Sequence, residues 1–173
     1  MLFKGILCVL ILLAGFGAGK LKAKSFENRV FHLQELVTVL KILESEMKYR
    51  LDPLPDLLLR LGSIKDGMAG EFLETAGRYL KVSTGKDSSL CWEEAVETVY
   101  QESVLSREDK QILLDLGVEL GKTDIVNQEG LFRRTFSMLE VQIEKAAEEK
   151  KTKGKMYQSL GTAVGILIVI LLI

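Results

Sequence analysis

Proline occurs only twice in the 173 residues, at Pro53 and Pro55. Elsewhere, helical patterns therefore run without the residue that most reliably stops them. Histidine occurs once, at His32, and cysteine twice, at Cys8 and Cys91. A lone histidine leaves a His-rich metal site or a Ser-His-Asp constellation without its parts, and a helical surface or half-buried role explains it. Cys8 falls in an apolar run, so Cys91 is alone in the polar part of the chain and no disulfide is expected. An excess of basic charge is also lacking. Between Val30 and Glu144 there are 21 acidic and 13 basic side chains, a net of −8, which argues against nucleic acid as a partner.

Charge is absent from two further stretches, and there the absence is informative. Residues 5–19 (GILCVLILLAGFGAG) and 156–173 (MYQSLGTAVGILIVILLI) contain no charged side chain. As a helix the second reaches about 27 Å at roughly 1.5 Å per residue, close to a hydrocarbon core of about 30 Å. Cations follow the first run at Lys20, Lys22, Lys24 and Arg29, and precede the second at Lys145, Lys150, Lys151, Lys153 and Lys155. Outside the runs stands only Lys4. The positive-inside bias then puts residues 21–156 in the cytosol, between membrane helices at 1–20 and 157–173 whose far ends lie outside. A cleaved signal peptide is the rival for the first run, but Gly15 and Gly17 fit its cleavage rule only passably and the cations that follow oppose translocation. The basic collar should be drawn to anionic lipid headgroups. Gly15-x-x-x-Gly19 and Gly161-x-x-x-Gly165 are small-residue pairs at matching depth, expected to let the two spans pack closely.

The intervening residues read as an all-α bundle of about six helices, long enough to bury an interior. Val30, Leu33, Val37, Leu40, Leu43 and Met47 recur at helical spacing. Asp52 is expected to cap a short helix with Pro53 at its first position, ended by Gly62. A third helix should cover Asp66 to Val82, and a fourth should open at Ser88 or Ser89 after the loop STGKDSS. Ser106 and Asp109 form a capping-box pattern for a fifth. A structural turn carried by Gly117, Gly121, Asp124 and Gln128 then leads into a last long helix.

That turn contains GVELGKT (117–123), which imitates a phosphate-binding loop. Such a loop needs four residues between its glycines and a preceding strand; this one has three, follows a helix, and puts Glu119 where phosphate would sit. The carboxylates Glu44, Glu46, Glu93, Glu94 and Glu97 read as solvated helix faces, with Glu93 and Glu97 a like-charge pair. No catalytic, cofactor-binding or metal-binding residue is assigned. Glu44, Glu46, Arg50 and Asp52, gathered where the first bundle helix meets Pro53, form the candidate partner face.

Three segments together resemble the stage III sporulation protein AB family of endospore-forming bacteria. In LESEMKYRLDPLPDLL the family pattern falls on Leu43, Glu44, Glu46, Tyr49, Pro53 and Leu54; in LGVELGKTDIVNQ on Leu116, Gly117, Leu120, Gly121, Asp124 and Gln128; in KGKMYQSLG on Lys155, Met156, Ser159, Leu160 and Gly161. The resemblance covers essentially the whole chain. It implies a helical fold like the cytoplasmic domain of the F-type platform proteins of type II secretion. It also implies a non-catalytic scaffold in the mother-cell membrane around the forespore. Its partners would be other membrane subunits of the channel and a cytosolic secretion-type ATPase of the same operon. A membrane-tethered adaptor or signalling protein is the alternative that the residues alone leave open.

Overall fold

The computed structural model describes the backbone of residues 2–49, 52–82, 87–120 and 125–172, with side chains except at 2–9, 125–126 and 171–172. Among the described residues all regular structure is helical, joined by short turns, and there is no strand. Seven α-helices follow in order: α1 (Leu2–Tyr49), α2 (Leu54–Ile64), α3 (Met68–Val82), α4 (Ser88–Glu102), α5 (Arg107–Glu119), α6 (Ile125–Glu149) and α7 (Lys155–Leu172). A π-turn at Lys150–Gly154 joins the last two. Contacts divide the chain into two compact units, Phe31–Ile143 and the pair Met1–Val30 with Glu144–Ile173.

The bundle unit is built from the distal part of α1, from α2 to α5, and from most of α6, six helices in all. Leu33, Leu36, Leu40 and Leu43 of α1 are fully buried, as are Leu57 and Leu58 of α2, Phe72 and Leu73 of α3, and Leu116, Phe132 and Leu139 of α5 and α6. Each such side chain contributes about 1.5–3 kcal/mol on leaving water. Trp92 of α4 is the largest of them. It meets Phe72 edge-on, with ring centroids 5.0 Å apart, and its Nε1 donates to the Leu113 carbonyl at 2.7 Å. That carbonyl lies one helical turn before Gly117, and a Cβ on Gly117 would overlap the indole ring. Gly117 is therefore helical rather than part of a turn. It lies two residues before the end of α5, bare because Trp92 occupies its face.

Helix ends largely follow their local chemistry. Ser106 accepts from the Asp109 N–H at 3.2 Å while the Asp109 carboxylate accepts from the Ser106 N–H at 2.8 Å, completing the capping box. The Asp87 carboxylate caps α4 by accepting from the Ser89 N–H. Two boundaries move from expectation. Pro53, not Asp52, holds the N-cap position of α2, its carbonyl accepting from the N–H groups of Asp56 and Leu57. Gly62 does not end α2 but lies inside its last turn, where a Cβ would come 2.6 Å from the Glu74 nitrogen of α3. The glycine is there to let two backbones approach, which periodicity alone cannot distinguish from a stop.

The other unit contains the N-terminal part of α1, the end of α6, the π-turn and α7. The helix α1 is continuous over Leu2–Tyr49. Proline is missing throughout it, and isolated glycines cost only about 1 kcal/mol each. The π-turn was not foreseen. Here Thr152 Oγ1 donates back to the Glu148 carbonyl at 2.8 Å, and Gly154 weakens the helical preference just where three lysines crowd. Among the described residues no helix is long and apolar enough to cross a membrane.

Candidate interaction surfaces

Within the unit of residues 1–30 and 144–173, helices α1 and α7 meet along their glycines. A Cβ on Gly15 would lie 2.8 Å from the Gly161 carbonyl oxygen, and one on Gly19 would lie 2.7 Å from that of Tyr157. A Cβ on Gly161 would come 2.5 Å from the Gly15 oxygen. Gly165 faces Leu12 with room for a methyl, at 3.5 Å. Backbone-to-backbone approach this close is what small residues four apart permit. Phe26 stacks on Tyr157 at 5.8 Å. Arg29 donates to Glu149 at 2.7 Å, and Lys150 pairs with Glu27 at 3.0 Å. Outward stand Leu10, Leu13, Phe16, Leu160, Val164, Ile166, Leu167 and Ile170, all exposed. Lys20, Lys22, Lys24, Lys151, Lys153 and Lys155 are exposed as well.

In the bundle unit the candidate partner face is less open than its sequence suggested. Glu46 accepts from Arg60 of α2 at 2.6 Å, and Asp52 lies 3.8 Å from the same guanidinium. Burial of the Glu46–Arg60 pair is only partial, so α1 and α2 are tied by it without a large gain. Glu44 is half-buried beside Lys41, Glu129 and Arg133. Gln128 sits in α6 near Glu44 and Met47 rather than in a turn. Arg50, Gly121 and Asp124 lie outside the described residues. Lys48 donates to Glu129, and this hydrogen bond holds the Glu129 carboxyl below the usual carboxylate range. Glu97, four residues from the like-charged Glu93 on α4, is also paired with Lys110, whose ammonium stands 4.8 Å over the Tyr100 ring.

His32 lines a polar hollow with Lys65, Asp66, Glu71, Glu74 and Glu102. Its Nδ1 and one oxygen of Glu35 are buried without a hydrogen-bond partner. Burial lowers the His32 pKa, with Glu35 pulling the other way. No group of three or more metal-ligating side chains is assembled among the described residues. Cys91 is buried and unpaired. One surface escaped the sequence reading altogether: an apolar groove between α5 and α6 floored by Ile112 and edged by Met138 and Val141. Ile112 belongs to the buried face of α5, whereas Met138 and Val141 of α6 stay exposed, and only the packing of the two helices reveals the groove between them.

Ion-paired helices around an aliphatic and aromatic core define an all-α bundle protein, and an apolar, glycine-seamed helix pair accompanies the bundle. The chain belongs to the stage III sporulation protein AB family, whose model matches residues 4–173. It is 25% identical over 169 residues to the stage III sporulation protein AB of Bacillus subtilis (strain 168), covering 95% of each chain. A solved structure of a stage III sporulation protein AB (SpoIIIAB) shares the fold. It has a TM-score of 0.67 at 18% identity, and the match covers 72% of this chain and 98% of that one.

Proposed function

We propose that this protein is a non-catalytic, membrane-anchored platform subunit of a sporulation complex related to secretion systems. On this reading residues 1–20 and 157–173 hold it in the mother-cell membrane around the forespore, and the helices between them receive a cytosolic secretion-type ATPase. The observation that carries the reading is the outward apolar surface of the two-helix unit. Leu13 is 63% exposed, Leu167 60% and Ile170 71%, on helices that already bury their glycine faces against each other. Two helices cannot enclose so many large side chains, and an apolar surface of this extent marks a membrane or a partner. In the sequence, residues 5–9 and 171–173 are uncharged and mostly apolar as well. Lysines at 20, 22, 24, 151, 153 and 155 suit the headgroup region on the cytosolic side. Family membership supports the sporulation setting.

Two measurements test it. The full chain should stay with membranes through an alkaline carbonate wash of sporulating cells, and recovery in the soluble fraction would end the anchoring claim. Solubilised in mild detergent, it should co-purify with the ATPase of the same operon; failure to do so at low salt would remove the docking claim while leaving the anchor. For the contact face, Glu44→Lys is the cleaner variant. Glu46→Lys also breaks the pair with Arg60 and so mixes docking with packing.

A further inference from the structure

The groove between α5 and α6 lies wholly within the bundle unit. One end of it, a hollow of about 420 Å³, is lined by Glu108, Gln111, Ile112, Met138, Val141 and Gln142. A second hollow continues it past the shared Ile112 and Met138 to Val118, Glu119, Leu131 and Arg134. From Glu108 to Glu119 the groove follows α5 for roughly 16 Å at about 1.5 Å per residue, the length of three helical turns. Val118 is 57% exposed, Val141 47% and Met138 40%, so apolar surface stands unpartnered along its whole length. Methionine at the centre suits a surface that must adapt to a partner's side chains.

The charges around it choose the partner. Three carboxylates, Glu108, Asp115 and Glu119, line the groove against the single guanidinium of Arg134, which is already held by Glu119 at 3.1 Å. We infer that this groove docks an amphipathic helix of another protein, apolar on the inserted face and bearing lysine or arginine along its flanks. The helix-in-groove mode supplies the geometry, and the acidic rim supplies the selection. A second copy of this chain fits poorly, because a two-fold contact would set the same acidic rims against each other. Anionic lipid is repelled for the same reason. The inference does not rest on the ATPase reading, since any subunit with such a helix satisfies it.

The five methionines give a direct readout. The full chain, labelled at its methionine methyls and held in nanodiscs of zwitterionic lipid, is titrated with a synthetic helix of about four turns. The probe carries leucines at i, i+3, i+4 and i+7 and lysines on both flanks. The Met138 methyl should shift saturably, while those of Met47 and Met68 stay put. The same peptide with glutamate flanks should bind at least about tenfold more weakly. Val141→Asp, with helicity and melting temperature unchanged, should abolish the shift. Three results overturn the proposal: an unmoved Met138, equal binding of the two peptides, or a Met138 signal that moves with protein concentration alone, which would make the occupant a second copy.

Discussion

Gly117 is a position where a single methyl decides the packing. Its Cβ would overlap the Trp92 indole, and the overpacking of a filled core costs about 1–3 kcal/mol. Gly117→Ala should therefore lower the unfolding free energy by that amount, read as a lower midpoint in denaturant titration. Gly130 of α6 has nothing within 4 Å of its would-be Cβ, so Gly130→Ala should stabilise by up to about 1 kcal/mol through helix preference. Equal effects at the two sites would refute the contact. The sequence shows a glycine at 117 but not why. Its neighbour along the chain, Gly121, made a turn the simpler reading, and the partner that matters is Trp92, 25 residues away. At His32 burial lowers the pKa from its ordinary 6.5, while Glu35 opposes the shift. The unfolded chain then binds more protons than the native one just below that value, so stability should fall as pH drops through 6.5. His32→Gln should flatten this portion of the pH–stability curve. An unchanged slope would mean that burial does not govern the group.

For the individual helices, the legible features were those encoded within a few residues. The Ser106–Asp109 capping box formed on both sides as read, because its two partners are three residues apart and need nothing else. Ser106→Ala should cost about 0.5–2 kcal/mol of unfolding free energy, measurable by urea titration. The start of α2 shifted by one residue because Pro53 can serve either as cap or as first helical residue, and only the carbonyl it offers to Asp56 and Leu57 separates the two. Ion pairs between helices were not legible at all. Glu46 with Arg60 and Glu97 with Lys110 depend on which faces the bundle turns toward each other, information that a periodic pattern does not hold. The glycine seam is intermediate. Its spacing was visible, but the difference between Gly161, which has no room for a methyl, and Gly165, which has, was not. Gly161→Leu should separate α1 from α7, read as loss of a disulfide engineered across the seam, while Gly165→Ala should keep it.

For the whole molecule, the chain divides its charge by location. The collar lysines lie in the unit of residues 1–30 and 144–173, and the bundle residues between are acidic. Placed at a membrane, the proposed anchor holds its lysines at anionic headgroups while the bundle is repelled from them. Raising salt should weaken the lipid preference of the collar far more than it weakens the bundle, whose stability rests on buried leucines and Trp92. Vesicle binding and thermal unfolding measured across the same salt series would separate the two. A fusion reporter placed after residue 173 should work only if its activity requires the far side of the membrane. A fluorescent reporter restricted to the cytosol and bright at that position would reverse the topology.

The π-turn at Lys150–Gly154 carries a consequence for how the gene tolerates change in length. A π-turn accommodates one residue more than an α-turn over nearly the same rise. Before it, Glu149 is matched to Arg29, and after it Gly161 is matched to Gly15. Removing Thr152 should let the segment relax into an ordinary α-turn with both matches kept. Removing Gln158, beyond the turn, should instead rotate Gly161 away from α1 by about 100°. The five residues 150–154 thus act as a phase buffer, the place between the two matches where a codon can be lost without misaligning either.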